Sequence, residues 1–427
     1  MNKKPKAWVV TVDMGYGHQR ATYPLKDLAV GEIIDANNYP GMPAADRKIW
    51  EQSTSGYEAI SRFKKVPLVG ELSFDLFDYF QSIENFYPRR DLSKPTLQLK
   101  MTYKMIKQKS WGKHLINKLA QNPLPLITPF FTTAYMAEIF GYPGEIYLIV
   151  CDADISRAWA PLDSRSSKIK YFAPTTRVVE RLKLYAVKAE NIFLTGFPLP
   201  KENLGGPTLP RLKRDLKERL AHLDPNRIYF NEYKKNIATW LGISRLPDTD
   251  HHPLTIAFAV GGAGAQQELG ITIVKSLRQE ILQKKVYFIL IAGSREEIYL
   301  YFKQELSKLK LSRYVKIIYN HNKLKYLAEF NRLLHQTDVL WTKPSELSFY
   351  SALGLPIIIA PPIGSQEKFN RQYIRKMGAG LEQEDPRYTN EWLLDWHQNG
   401  FLAEAAMQGF IDGNKLGAYN IEKIIEK

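Results

Sequence analysis

The stretch Thr342–Arg371 places polar residues at the start of a short helix and beyond the strand that follows it. A turn that ends in Ser345 and Glu346 leads into Leu347–Leu353, which has apolar residues at helical spacing, and Gly354 ends that helix. The first N–H groups of a helix have no partner within it, so this helix start suits an anion or a sugar hydroxyl. The stretch is therefore a candidate ligand site.

Two consecutive strands in this region are predicted to end at polar loops. Leu355–Ala360 is a continuous run of branched aliphatic residues, as expected of a strand buried on both faces of a parallel sheet. The loop and helix start beyond it contain Gln366, Glu367 and Asn370, and the preceding strand, Asp338–Trp341, runs into Lys343. Open α/β sheets bind ligands beside the carboxyl ends of their strands, so we expect both loops at one site.

A loop of small residues, Gly261–Ala265 (Gly261, Gly262, Ala263, Gly264 and Ala265), follows another apolar strand. Its backbone N–H groups, with the cations Arg295 and Lys343, could offset the charge of a diphosphate. The carboxylates Glu346 and Glu367 would accept hydrogen bonds from ribose or sugar hydroxyls but would repel a bare phosphate. Further loops at predicted strand ends contain Ser294, Asn320 and His321. These loops predict a site for a diphosphate that is joined to hydroxyl-rich groups.

The first predicted strand, Trp8–Asp13, leads into a turn that contains Gly15, Gly17 and His18. Glycine lets the backbone tighten and approach a ligand closely. A GxG sequence after a strand, with Asp35 closing the next strand, also resembles the start of a methyltransferase cofactor loop. That alternative predicts S-adenosylmethionine binding in the first half of the chain and leaves the second half unexplained.

Two carboxylates follow the buried strand predicted at Ile146–Val150. Asp152 and Asp154 could take part in chemistry there. They could equally be turn or cap residues, as acidic side chains at strand ends often are. Both interpretations stay open from the residues alone.

Strands and helices alternate along most of the chain, which predicts an α/β fold with doubly wound sheets. Two βα-rich halves, each opening with a strand and a small-residue loop, predict two Rossmann-like domains with an interdomain cleft. We expect an N-terminal domain over 1–200 with a helical insertion at 39–122, a linker or insertion at 201–253, a C-terminal domain over 254–390 and a helical tail at 391–427.

The predicted insertion is rich in aromatic residues, among them Phe74, Phe77, Tyr79, Phe80, Phe86 and Tyr87. It continues into a basic amphipathic helix expected at Gln98–Leu119. Core packing is the default interpretation of such apolar periodicity. A flap that binds a lipid-like acceptor or contacts a membrane surface is the alternative.

The formal net charge of +15 and the single cysteine limit the possible functions. Cys151 alone excludes a disulfide framework and a cysteine-based zinc site, and it fits a reducing compartment. Basic residues are spread along the chain without a nucleic-acid-binding signature, so nucleic acid is not an expected partner. An anionic membrane surface and an anionic nucleotide substrate both fit the charge.

Five groups of residues, in their order and spacing, resemble a known family. They are GYGHQRA at Gly15–Ala21, IVCDADISRAW at Ile149–Trp159, KYFAPTTRVVERL at Lys170–Leu182 with ENIFLTGFPL at Glu190–Leu199, VGGAGA at Val260–Ala265, and TKPSELSFYSALGLPIII with GSQEKFN between Thr342 and Asn370. The chain resembles the glycosyltransferases of the GT-B fold. Among these it is most similar to the monogalactosyldiacylglycerol synthases and processive diacylglycerol glucosyltransferases, and more distantly to the peptidoglycan N-acetylglucosaminyltransferase.

The resemblance implies an inverting, metal-independent transfer from a UDP-sugar, with no further cofactor. Gly262 to Ala265 would line the diphosphate, Asn320 and His321 would lie by the base, Glu346 would bind the ribose, and Gln366 and Glu367 would face the sugar. The full set of expected donor contacts is Gly261, Gly262, Ala263, Gly264, Ala265, Ser294, Asn320, His321, Lys343, Ser345, Glu346, Gln366, Glu367 and Asn370.

The same resemblance implies that the first half binds a hydroxyl acceptor, with Gly15, Gly17 and Arg157 as contacts. His18 would be the general base, because the pKa of free imidazole lies near neutrality, and Asp152 would assist it. A lipid acceptor at an anionic membrane surface would make the protein cytoplasmic and peripheral on the inner face of the membrane.

This sequence departs from the lipid-glycosylating relatives shortly before Trp159. Those relatives usually have a histidine there, whereas this chain has Ser156, Arg157 and Ala158. Two alternatives to glycosyl transfer therefore stay open. One is a sugar-nucleotide epimerase or hydrolase of the same fold, with Asp152 and Glu367 acting on the donor. The other is a non-catalytic protein that binds a nucleotide sugar or a membrane surface.

Overall fold

A computed structural model describes residues 6–63, 82–247, 252–261, 264 and 266–426. For 54–63 and 365 it describes the backbone alone. The chain divides into two compact units. The first unit comprises Met1–Leu199, Gly364–Phe369 and Leu416–Lys427, and the second comprises Pro200–Ile363 and Asn370–Lys415.

The first unit contains a six-stranded parallel sheet in the order β2-β1-β3-β4-β5-β6. Its strands are β1 (Trp8–Thr11), β2 (Ile34–Asp35), β3 (Leu126–Thr128), β4 (Ile146–Ile149), β5 (Lys170–Ala173) and β6 (Ile192–Leu194). Every residue of β3 and β4 is buried, as their apolar sequences require of central strands covered on both faces.

Helices connect these strands. They are α1 (Tyr16–Thr22), α2 (Ala44–Phe63), α3 (Leu97–Lys109), α4 (Lys113–Ala120), α5 (Phe131–Ile139) and α6 (Thr176–Leu184), with 3₁₀ turns at Tyr23–Leu25, Arg157–Trp159 and Ala189–Asn191. The core joins the sheet to the inserted helices, for example where Trp50 of α2 meets Trp111 edge to face, with ring centroids 4.7 Å apart.

The second unit contains another six-stranded parallel sheet, in the order β12-β11-β10-β7-β8-β9. Its strands are β7 (Leu254–Ala259), β8 (Val286–Gly293), β9 (Val315–Tyr319), β10 (Val339–Thr342), β11 (Ile357–Ile359) and β12 (Gly380–Glu382). Numbered from its own first strand, this is the Rossmann order.

The helices that follow in the chain are α7 (Lys201–Leu204), α8 (Pro210–Leu223), α9 (Ile228–Leu241), α10 (Gln267–Ser276), α11 (Arg278–Leu282), α12 (Glu296–Lys308), α13 (Lys323–Leu333), α14 (Ser365–Met377), α15 (Thr389–Gln398), α16 (Phe401–Asp412) and α17 (Gly417–Ile425), with 3₁₀ helices at Glu346–Leu353 and Pro386–Tyr388. The predicted α/β fold with two Rossmann-like domains is confirmed. In the described part of the chain, none of the helices has the length and apolar character needed to cross a membrane.

Each sheet has one point where the chain changes its direction of winding. In the first sheet this point lies between β1 and β3, and in the second between β7 and β10. The loops at the carboxyl ends of such strand pairs diverge to opposite faces of the sheet and leave a crevice in which α/β proteins bind ligands. The fold therefore marks one candidate site in each unit.

The helix predicted at Gln98–Leu119 is interrupted, which corrects the sequence-based expectation. Ser110 and Gly112 have positive φ angles of 50° and 85°, so the helix ends and restarts. A Cβ atom added at Gly112 would lie 2.3 Å from the Met136 sulfur, so only glycine allows this close approach.

The predicted domain boundaries also differ from the division in the structure. The segment expected to be a linker, 201–253, forms α7, α8 and α9, and it belongs to the second unit. The last helix, α17, belongs to the first unit, where the Asn420 amide donates to the Thr195 carbonyl at 2.8 Å.

The aromatic residues of the insertion have different environments where the structure describes them. Phe86 is buried beneath the Arg177 guanidinium, 3.9 Å from its ring centroid, as core packing predicts. Tyr87 beside it is exposed. Phe74, Phe77, Tyr79 and Phe80 lie outside the described residues.

Candidate functional site

In the first unit, His18 lies at the point where the sheet changes its direction of winding. The chain leaves β1 through Gly15, whose φ of 97° favours glycine, and enters α1, where His18 is in the first turn. The His18 ring meets Phe130, which follows β3, edge to face at 5.1 Å. Its Nδ1 is 3.9 Å from the sulfur of Cys151, which follows β4. Three strand ends therefore position one imidazole.

Asp152 follows Cys151 at the edge of the sheet where His18 lies, and it is half-buried. The next carboxylate, Asp154, has a structural role, because it is buried and accepts two hydrogen bonds from Arg181 at 2.8 and 2.9 Å. Burial by itself would lower the pKa of Arg181, but the hydrogen bonds and charge of Asp154 hold it above its ordinary value. The charged pair thus fixes the loop that presents Asp152.

The structure gives Arg157 a different role from the acceptor contact expected from the sequence. Its side chain is buried, and its guanidinium donates to the carbonyls of Ser93 (3.0 and 2.8 Å), Ala160 (2.5 Å) and Pro161 (2.9 Å). These bonds tie the turn before Trp159 to the segment that leads into α3. Gly15 and Gly17 stay predictions as acceptor contacts.

In the second unit, the corresponding point lies between Gly261, after β7, and Lys343, after β10. A Cβ atom added at Gly261 would lie 2.5 Å from Cε of Lys343 and 3.3 Å from its Nζ. The lysine side chain therefore packs directly on the bare glycine backbone. This contact places a cation beside the small-residue loop where the sheet order predicts a ligand.

Gly264 shows the same close packing further along the loop. Its φ is 73°, and a Cβ atom there would lie 2.8 Å from Cδ1 of Ile298 and 3.9 Å from Cδ of Arg295. The loop thus approaches the start of α12, where Arg295 precedes the first turn. Gly262, Ala263 and Ala265 lie outside the described residues. At its far end the loop is held by Gln266, whose amide donates to the Pro361 carbonyl at 2.8 Å.

Glu346 begins the helix predicted after β10, and that helix is a 3₁₀ helix over Glu346–Leu353. Ser345 caps it by accepting a hydrogen bond from the Leu347 N–H at 3.4 Å. Glu346 is only 9% exposed, so its carboxylate is held within the protein fold. The predicted stop at Gly354 is confirmed, with φ at 66° and no room for a Cβ atom against Leu216.

The other predicted donor residues lie after neighbouring strands or on α14. Ser294 follows β8, and Asn320 follows β9, where its N–H donates to the Gly293 carbonyl at 3.0 Å. The Asn320 side-chain oxygen accepts from the Asn322 N–H at 3.0 Å, and His321 between them is exposed. Gln366, Glu367 and Asn370 lie in the first two turns of α14, with the Asn370 side chain fully buried.

Sequence reasoning did not identify the neighbours that position the predicted site residues. Phe130 and Cys151 each follow a strand of the first sheet, so strand-end position was the available signal. Gln266 follows the small-residue loop directly, but its contact with Pro361 depends on the pairing of distant strands. The structure brings Gly261 to Lys343 and Gly264 to Arg295. The ligand roles of all these residues stay predictions.

Comparison with known proteins agrees with the fold and the motifs. A family model described as a domain of unknown function (DUF6938) matches residues 297–424. The processive diacylglycerol beta-glucosyltransferase of Bacillus cereus (strain G9842) is 23% identical over 402 residues, which cover 89% of this chain and 82% of that protein. The Bacillus subtilis (strain 168) protein of the same name is 22% identical over 391 residues, with 89% and 84% covered.

Among solved structures, the UDP-GlcNAc 2-epimerase from Neisseria meningitidis bound to UDP-GlcNAc superposes with a TM-score of 0.50 at 12% identity. The match covers 99% of this chain and 100% of that one, and it supports the fold. The sheet orders and this superposition show a GT-B fold, and over most of its length the chain is similar in sequence to the processive diacylglycerol glucosyltransferases.

Proposed function

We propose that this enzyme transfers a sugar from a UDP-sugar to the hydroxyl of a lipid at a membrane surface, with inversion and without a metal ion. One observation carries the proposal. The predicted base and the predicted diphosphate loop each lie at the point where the strand order of their sheet reverses. His18 lies between β1 and β3, and Gly261 meets Lys343 between β7 and β10.

The second unit is suited to the donor. Backbone N–H groups of a small-residue loop and the ammonium of Lys343 can balance a diphosphate, which is a charge-balancing role that a metal ion fills in other enzymes. The buried Glu346 carboxylate can accept hydrogen bonds from ribose hydroxyls.

The first unit is suited to activation of the acceptor. The acceptor oxygen forms a bond to the anomeric carbon, the bond from that carbon to the diphosphate oxygen breaks, and UDP leaves with the electron pair. His18 accepts the proton of the acceptor hydroxyl. A single displacement of this kind inverts the configuration at the anomeric carbon.

A lipid acceptor is supported by the names of the relatives and by one exposed helix face. Leu97 and Met101 of α3 are 64% and 61% exposed, and Lys100, Lys104 and Lys107 lie on the same side of the helix. Apolar side chains flanked by lysines are suited to the interface of an anionic bilayer.

The proposal is tested by calorimetric titration with UDP and by assay with UDP-glucose and diacylglycerol in mixed vesicles. We expect UDP to bind, Glu346→Ala to weaken it by about ten-fold or more through loss of charged hydrogen bonds, and a glycolipid to form. Glu391→Ala removes a first-turn glutamate of α15 and is the matched control.

Absence of UDP binding at millimolar concentration, or equal affinities for Glu346→Ala and wild type, would contradict the donor site. Release or epimerisation of the donor sugar without any acceptor would instead favour the epimerase or hydrolase alternative. UDP binding without turnover of any tested acceptor would favour the non-catalytic alternative.

A further inference from the structure

A cluster of two histidines and one aspartate lies in the second unit, away from the predicted donor loops. His222 is in the last turn of α8, His252 precedes β7, and Asp338 directly precedes β10. Because β7 and β10 are paired and parallel, their amino ends meet at one edge of the sheet. Gly261 and Lys343 follow the carboxyl ends of the same strands, about 20 Å away at the usual rise per residue.

The distances within the cluster match those between the ligands of one metal ion. Nδ1 of His222 lies 3.3 Å from one Asp338 oxygen. Nδ1 of His252 lies 3.7 Å from the other and donates to the Pro253 carbonyl at 2.9 Å, a hydrogen bond that a metal ion bound at this nitrogen would replace. All three side chains can offer ligand atoms within 4.8 Å of one another. Tetrahedral Zn²⁺ with bonds near 2.1 Å places its ligand atoms about 3.4 Å apart.

The carboxylate is held in place by the sheet itself. Asp338 is buried, and its Oδ2 accepts a hydrogen bond from the Thr255 N–H at 2.8 Å, while its own N–H donates to the Thr255 carbonyl at 2.9 Å. The carbonyl of His222 accepts from Nε2 of His397 at 2.6 Å. Hydrogen bonds of this kind orient the groups that ligate a metal.

The two imidazoles pack against each other, with ring centroids 3.8 Å apart and planes inclined by 61°. Two imidazoles this close together can ligate one cation, each through one ring nitrogen. The His252 side chain is 32% exposed and gives solvent a route to the cluster. Two imidazoles and one carboxylate are a ligand set suited to Zn²⁺, with water in the fourth position.

We propose that His222, His252 and Asp338 bind one Zn²⁺ that joins the end of α8 to the amino ends of β7 and β10. The proposed site takes no part in sugar transfer, because it lies at the edge of the sheet opposite to the donor loops. It does not depend on the proposed glycosyl transfer, since a metal ion here would hold the second unit together whatever substrate the protein uses.

The test uses the full-length protein after treatment with a chelator. Titration with Co²⁺ should produce the visible absorption bands of a tetrahedral site at one ion per chain, and Zn²⁺ should abolish them. Zn²⁺ should also raise the unfolding temperature, because a ligand that binds only the folded state stabilises it.

His252→Gln should weaken Co²⁺ and Zn²⁺ binding by more than about 100-fold, because even residues that only orient a ligand cost about 10- to 100-fold. The matched control is His335→Gln, since His335 forms a pair with Asp215 in the same unit at 2.5 Å but is outside the cluster. Wild-type protein without the Co²⁺ bands, or a Zn²⁺ response that persists in both His252→Gln and Asp338→Asn, would overturn the proposal.

Discussion

The contacts of His18 explain how one imidazole could be both fixed and reachable. Phe130 restricts the ring from one side, Cys151 lies near Nδ1, and the helix start places the residue at the carboxyl edge of the sheet. A general base needs this combination, because proton transfer requires a set distance while the acceptor must still approach.

Replacing His18 with glutamine should lower kcat by about 10²- to 10⁴-fold, the usual contribution of a general base. UDP affinity should stay at the wild-type value, because the donor contacts predicted at Gly261, Lys343 and Glu346 lie in the second unit. Steady-state kinetics and UDP titration measure both effects. His114→Gln is the matched control, since the ring of His114 contacts Tyr39 at 2.9 Å and has no predicted catalytic role. Full activity of His18→Gln would exclude this residue as the base.

Gly261 offers a test of the donor loop at the scale of one methyl group. In Gly261→Ala the new Cβ would overlap Cε of Lys343 at 2.5 Å, so the flexible lysine side chain has to move. We expect UDP binding to weaken by about ten-fold, as after loss of one charged hydrogen bond, with little change in the unfolding temperature. Lys343→Ala should give a similar loss, and Lys308→Ala, on the exposed face of α12, should give none. Unchanged UDP affinity in both Gly261→Ala and Lys343→Ala would remove this pair from the donor site.

At the scale of elements, Gly112 restarts the chain as α4 after α3 ends at Ser110. Gly112→Ala combines an unfavourable positive φ of 85° with overlap of the Met136 side chain at 2.3 Å. A left-handed conformation costs about 1–2 kcal/mol for a residue with a Cβ atom, and the overlap adds to it. Urea unfolding should show a loss of about 2–4 kcal/mol. Gly141→Ala is the control, with φ at 67° but no atom near its Cβ, and should lose only about 1 kcal/mol. Equal losses would mean that Met136 moves aside without cost.

The buried strands could be predicted from their continuous apolar sequences, whereas the short edge strand β12, which is only partly buried, was not predicted. Leu355–Ala360 is aliphatic throughout, and β11 within it is buried throughout. The loops at the strand ends were predictable for a related reason, since glycine and polar residues interrupt the aliphatic runs. Gly354 ends its helix as predicted, because its left-handed φ is one that glycine adopts at little cost.

Two arginines show what the sequence could not indicate, because their partners are distant in sequence. The segment 201–253 was predicted to be a linker or insertion, yet Arg219 within it is buried and donates to the carbonyls of Leu334, Thr337, Leu353 and Gly354 at 2.8 to 3.1 Å. Arg157 similarly satisfies backbone carbonyls instead of facing a ligand. A sequence pattern shows that an arginine is charged, but not which unpaired carbonyls the fold will bring to it.

At the scale of the whole molecule, the proposed membrane contact rests on the net charge of +15 together with the exposed face of α3. A positive charge favours approach to an anionic surface, and each lysine near such a surface contributes about 1 kcal/mol. Leu97 and Met101 can then insert into the apolar part of the bilayer. Each side chain that is fully buried there contributes about 1.5–3 kcal/mol to the free energy of binding. Neither the electrostatic attraction nor the insertion of two apolar side chains alone gives stable membrane binding, so binding requires both.

We therefore expect the protein to sediment with vesicles that contain phosphatidylglycerol and much less with neutral phosphatidylcholine vesicles, and high salt should release it. The variant Leu97→Ser/Met101→Ser should bind anionic vesicles at least about ten-fold more weakly, because it loses the apolar term but keeps the charge. The matched control is Leu300→Ser/Leu324→Ser, which removes two leucines of the second unit that are 52% and 50% exposed. If both double variants bind as wild type does, α3 is not the membrane contact. If both lose affinity equally, the attraction is an unspecific property of the protein surface.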